Sequence, residues 1–99
     1  MKLNIQSIRF DADQKLIDVI QAKADKLDTY FDRIVSGEVF LRLEKSETRE
    51  NKLVEIKLIV PGNDLFASKK AATFEEAVDE AIEALRRQVK KLKEKLSER

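Results

Sequence analysis

The residues best placed to do chemistry in this chain are cations crowded into its last quarter. From Arg86 to Lys95 the sequence carries Arg86, Arg87, Lys90, Lys91, Lys93 and Lys95 against the lone acid Glu94, and Glu75, Glu76, Asp79, Glu80 and Glu83 precede them. Lysine and arginine at helical spacing neutralise phosphates, so such a patch holds a polyanion even in a chain whose formal net charge is +1. Two other readings fit the same residues. Acids early and bases late in one helix match its macrodipole and form a solvated surface. Charged flanks of both signs also suit a protein partner or a second copy of the chain.

Composition restricts other chemistry. The chain has no Cys and no His, which removes disulfides, thiol nucleophiles, thiolate zinc sites and imidazole bases together. Carboxylates are plentiful, yet none lies in an apolar stretch that would tune it as an acid or base. Gly37 and Gly62 are assigned to a helix end and a turn, which leaves no phosphate-cradling loop. No enzyme, metal, cofactor or small-molecule substrate is therefore expected. The N-terminal Met-Lys-Leu-Asn-Ile-Gln lacks the apolar run of a secretory signal, and no window approaches the roughly 18 apolar residues of a membrane span. A cytosolic location without a membrane partner is the expectation.

The elements that must position these cations follow from apolar spacing. A chain of 99 residues, 42% apolar and 39% charged, supports one domain over residues 1–99 with a modest core. Leu3 and Ile5 alternate with polar neighbours as in a half-buried strand, and the phase shift at Ile8 and Phe10 predicts a bulge or strand end near Ser7. Asp11 to Asp13 supply an N-cap for a helix with Leu16, Ile20, Ala24, Leu27, Phe31 and Ile34 on one stripe, closed at Gly37.

Val39, Leu41 and Leu43 then alternate with Glu38, Phe40, Arg42 and Glu44. After the polar segment Ser46 to Lys52, Val54, Ile56, Leu58 and Val60 mark a second strand of the same hairpin. The turn Pro61-Gly62-Asn63-Asp64 leads to a weaker edge strand, Leu65 to Ala71, bearing Lys69 and Lys70. Thr73 and Glu76 form a capping box before a last helix whose stripe is Phe74, Val78, Ala81, Ile82, Leu85, Val89, Leu92 and Leu96. The order β-α-β-β-β-α predicts an α+β fold in which both helices cover one face of a four-stranded mixed sheet.

Placed on helical wheels, the charges separate by sign. With Leu27 at zero, Lys15, Lys26 and Arg33 share one flank of the first helix with Lys23 beside them, while Asp18, Asp25, Asp28 and Asp32 take the other. On the last helix Arg86, Lys90 and Lys93 share a flank, and Arg87 and Lys91 stack on the outward side. Arg86 over Lys90 and Arg87 over Lys91 are like-charged i,i+4 pairs, each unfavourable by about 0.2–0.5 kcal/mol in an isolated helix. Two basic flanks on one small domain favour the polyanion reading, because phosphate contacts add.

Several local strings, in this order and spacing, resemble the short form of the ribosome hibernation promoting factor and ribosome-associated inhibitor family. They are Lys26-Leu27 through Tyr30-Phe31-Asp32-Arg33-Ile34, Pro61-Gly62 through Leu65-Phe66-Ala67, and Ala77-Val78-Asp79 with Leu85, Arg87, Gln88, Lys90, Lys91 and Lys93. The resemblance implies a fold similar to double-stranded-RNA-binding domains, and binding to small-subunit ribosomal RNA in the decoding channel, which blocks messenger and transfer RNA in stationary phase or stress. It implies a phosphate-holding role for Lys23, Lys26, Arg87, Lys90, Lys91 and Lys93; Lys15, Arg33, Lys69, Lys70 and Arg86 are further RNA-binding candidates. Glu75 stands where relatives often carry an aromatic residue, and Arg86 where they often carry an acid. The chain ends at Arg99 without an acidic tail or an extra dimerisation domain, so ribosome pairing through its own tail is not expected and would fall to a separate dimerising factor.

Overall fold

In the computed structural model, which describes residues 1–45 and 49–97, the order of elements is β1 (Lys2–Ile8), α1 (Gln14–Tyr30), β2 (Ser36–Leu43), β3 (Lys52–Val60), β4 (Asn63–Ala71) and α2 (Phe74–Ser97). The strands form one sheet in the order β1-β2-β3-β4, with β1 parallel to β2 and the two hairpin pairs antiparallel. This is the expected α+β arrangement of four strands and two helices. The parallel pair follows from α1, which carries the chain back from the end of β1 to the start of β2.

Alternation sorts the sheet into two unlike faces. Ile5, Val39, Ile56 and Ala67 stand in one row across the four strands, and Leu41 and Val54 stand opposite each other in the next. These face the helices and join Ile20 and Leu27 of α1 and Val78, Ala81, Leu85 and Val89 of α2 in a single buried cluster. The other face is mixed, carrying Phe40, Leu53, Ile59 and the exposed Phe66 among charged residues, and is crossed by ion pairs from Arg42 to Glu55 and from Lys57 to Asp64.

Helix starts are set by side chains that occupy orphan N–H groups. Asp13 accepts from the Leu16 N–H at 2.8 Å and Thr73 Oγ1 from the Glu76 N–H at 3.1 Å. Along α2, Gln88 turns toward the edge of the sheet. Its amide donates to the Phe66 carbonyl at 2.7 Å and its oxygen accepts from the Phe66 N–H at 3.3 Å, which occupies backbone groups on the outer edge of β4.

The structure corrects several boundaries. Helix α1 ends at Tyr30, and Gly37 lies within β2. Phe31 is already extended, and its N–H makes a last bond to the Leu27 carbonyl. Phe31 and Ile34 keep a helical spacing because the turn between them returns both to the core, so Arg33 does not lie on a helix. Gly37 is held by crowding: a Cβ there would stand 2.7 Å from Leu3 Cδ2 and 3.0 Å from Leu58 Cδ2, the residues on either side of it in the sheet.

Strand β1 runs to Ile8 in unbroken register with β2, so the expected interruption near Ser7 is the strand end and not a bulge; Ile8 falls on the face opposite Leu3 and Ile5, and the chain turns off the sheet at Arg9, whose φ is +68°. The turn before β4 is Pro61-Gly62 alone, with Gly62 at φ +79° as a type II turn requires, and Asn63 and Asp64 already pair with β3. Leu43 is 46% exposed because it lies one position beyond the end of β1. Of the expected polar segment between β2 and β3, Ser46, Glu47 and Thr48 lie outside the described residues, and Lys52 opens β3.

Candidate nucleic-acid interface

The two basic flanks meet along the seam between the helices. Lys23 of α1 forms an ion pair with Asp79 of α2, and one step of seven residues further along each helix the ring of Tyr30 lies 5.0 Å from the Arg86 guanidinium. Contacts that ascend together on both helices show that α1 and α2 run parallel and side by side. The acidic half of α2 therefore lies against the middle of α1, and the basic half lies at its C-terminal end.

Between these contacts is a cleft of about 560 Å³, lined by Lys23, Lys26 and Tyr30 on α1 and by Asp79, Glu83 and Arg86 on α2, with Leu27 and Ile82 among its apolar lining. Beyond Tyr30 a second hollow is lined by Asp32, Arg33, Lys93 and Leu96. Lys93 ties the two together: its ammonium lies 4.2 Å from the centre of the Tyr30 ring and donates to the Tyr30 carbonyl at 2.9 Å. That carbonyl ends α1, where backbone oxygens lack helical partners and the macrodipole favours a cation.

The sequence-derived candidates divide accordingly. Lys26, Arg86 and Lys93 are exposed at the seam, with Lys23 half-buried beside them and committed to Asp79. Arg87, Lys90 and Lys91 are exposed on the basic half of α2, and Arg33 lines the hollow at its lower end. Three candidates lie elsewhere. Lys15 is at the start of α1 among Asp11, Asp13 and Glu75. Lys70 pairs with Glu44 at 2.6 Å beside Glu76 and Glu80, and Lys69 is half-buried on the inner face of β4.

Tyr30 escaped the sequence reading as a site residue. The signal was present, because Lys23, Lys26 and Tyr30 recur at helical spacing on the flank that meets α2. Beside Glu75, Phe74 stacks on Phe10 with ring centres 5.0 Å apart. Among the described residues, no group of three acidic side chains converges to hold a metal ion, and no helix is long and apolar enough to cross a membrane.

The remaining perturbed groups lie on the opposite flank of α1. The N-terminal amine bonds Asp25 at 2.8 Å and also Asp28, while Gln21 donates to the Met1 carbonyl and to Asp25. The hydrogen bonds that the amine donates to Asp25 and Asp28 raise its pKa above the ordinary 8.0, and accepting from the amine lowers that of Asp25 below 3.8. These ion pairs anchor β1 to α1 and take no part in the basic surface.

Comparison with known proteins agrees with this architecture. The model of the Sigma 54 modulation protein / S30EA ribosomal protein family matches residues 3–97. A ribosome hibernation promoting factor of Klebsiella oxytoca is 32% identical over 98 residues, 99% of each chain. One from Pseudomonas putida is 30% identical over 95 residues, 96% of this chain and 89% of its own. The N-terminal domain of Thermus thermophilus Protein Y superposes with a TM-score of 0.75 at 26% identity, over 92% of this chain and 94% of that one. A ribosomal subunit interface protein from Coxiella burnetii shares the fold, with a TM-score of 0.83 at 18% identity over 94% and 98% of the two chains. A family match across residues 3–97, alongside relatives named ribosome hibernation promoting factor that align over 96–99% of this chain, shows that this chain belongs to the Sigma 54 modulation protein / S30EA ribosomal protein family.

Proposed function

We propose that this protein is a cytoplasmic, non-catalytic ribosome hibernation factor whose residues 1–99 form one ribosome-binding domain. It binds small-subunit ribosomal RNA in the decoding channel and inhibits translation by occupying the place of messenger and transfer RNA. The observation that carries the reading is the parallel packing of α1 and α2, which brings Lys26, Arg86 and Lys93 to one seam continuous with Arg87, Lys90 and Lys91. The names of the relatives support the hibernation role.

Contacts to phosphate position a protein without reading bases, and double-stranded RNA presents shape and backbone more readily than base edges. Selectivity for the ribosome then arises from the fit of the basic seam and the exposed basic half of α2 into the channel. Co-sedimentation with purified small subunits across a potassium chloride series tests this. Binding is expected to weaken steeply with salt, and the variant R87E/K90E/K91E to bind more than about tenfold more weakly with a shallower salt slope. A flat salt response, or full binding by the triple variant, refutes the phosphate mechanism. Binding in cell extracts that survives nuclease would assign the surface to a protein partner instead.

A further inference from the structure

The geometry points to Tyr30 as a positioning residue: its ring gathers Arg86 and Lys93 at the lip of the cleft, so that both cations meet the RNA backbone already ordered. The inference rests on the RNA-binding reading above and adds a residue and a role to it. Tyr30 is the sole tyrosine of the chain, the last residue of α1, and part of the lining of both the cleft and the hollow below it. The Arg86 guanidinium and the Lys93 ammonium lie 5.0 Å and 4.2 Å from its ring centre, inside the roughly 6 Å range of cation–π attraction.

Arginine and lysine side chains lose much rotamer freedom when fixed on a ligand, and less is lost when they are held beforehand. The two residues are seven positions apart on α2, about 10.5 Å along the axis. Both carry positive charge within about one Debye length, so without the ring they would repel and splay. Tyr30 draws both toward α1. A base-stacking role for the ring fits poorly, because the two cations already approach it. A core role fits poorly as well, because the ring lies at the margin of the buried cluster.

The arrangement can be tested apart from RNA. In the free protein, ring currents from Tyr30 are expected to move the Arg86 δ-proton and Lys93 ε-proton resonances upfield; Y30F should keep both shifts and Y30L should lose them. Absence of the shifts in the native chain overturns the inference, whatever the variants do and whether or not Y30L folds.

On small subunits at about 0.1 M salt, Y30F should bind within about twofold of the native chain, and Y30L about three- to tenfold more weakly. The salt slope of Y30L should be shallower by about one to two. Arg86 should account for more of the loss than Lys93, whose bond to the Tyr30 carbonyl survives the substitution. In an R86A/K93A background Y30L should have no further effect. A further loss there shows that the ring touches RNA itself, and weak binding by Y30F assigns the role to the hydroxyl; either overturns the positioning role. A native chain that binds without salt dependence refutes the RNA reading, while the resonance shifts still judge the arrangement of the three side chains.

Discussion

Reversing one charge on the basic half of α2 should make this protein more stable while it impairs binding. Lys90 is exposed, with Arg86 at i−4, Arg87 at i−3 and Lys93 at i+3 as like-charged neighbours, and Glu94 at i+4 as its single opposite one. Each such pair on a helix surface contributes about 0.2–0.5 kcal/mol, with the sign of the charge product. Substituting K90E reverses all four. Three repulsions become attractions and one attraction becomes a repulsion, so the net gain is about 0.8–2 kcal/mol at low salt. Lys90 is two turns from the end of α2, beyond the last turn where the macrodipole acts strongly, so a carboxylate there is little penalised.

Thermal unfolding of K90E should show the midpoint raised by several degrees at low salt, since about 1 kcal/mol shifts a domain of this size by roughly 4–8 °C. The gain should shrink toward zero at about 1 M salt, where the Debye length is near 3 Å. Small-subunit binding should weaken in the same protein. If K90E is destabilised at low salt, the basic flank is a structural match to the helix dipole, and the argument that it is maintained against its own repulsion fails. Stabilisation without any loss of binding would leave the repulsion in place and remove Lys90 from the interface.

Two further outcomes follow from contacts away from the seam. The ion pairs of the N-terminal amine should hold between two pH limits. The amine has a raised pKa, so its contribution is fully present below 8.0 and fades as pH rises through the raised value; Asp25 has a lowered pKa, so its contribution is fully present above 3.8 and fades as pH falls through the lowered value. Unfolding midpoints of the native chain and D25N/D28N, measured from about pH 3 to 10, should differ most between those limits and converge outside them; a constant difference would show that the carboxylates act without ionisation. At Gly37, G37A should lower stability by about 1–3 kcal/mol, because Leu3 and Leu58 must both shift to admit a methyl group, and urea denaturation should show it; an unchanged midpoint would mean that those side chains rotate away freely.

Much of the fold was legible because each element has its own period. Val54, Ile56, Leu58 and Val60 at alternate positions, and Val78, Ala81, Leu85 and Val89 at helical ones, are buried as their spacing requires. Errors arose where a local signal has two causes. Phe31 and Ile34 continue the stripe of α1 although the helix has ended, because a turn can return side chains to a core as well as a helix can. Gly37 resembled a helix terminator, and its cause was the approach of two leucines from neighbouring strands, which no local pattern contains. Leu43 alternated correctly but outran the strand beside it.

The sequence by itself determined the order of elements, the sign of each helical flank and the candidate residues, since these depend on residue type and on the fixed geometry of helix and strand. Only the tertiary structure decided which flanks face each other. The parallel packing of α1 on α2 committed Lys23 to Asp79 and brought Arg86 and Lys93 to Tyr30 from the far end of the chain, while the pairing of the strands brought Lys70 to Glu44. Charges on separate elements interact through a distance that packing sets and residue spacing does not, and Coulomb attraction, screened within about 10 Å, therefore became readable only when the helices lay side by side.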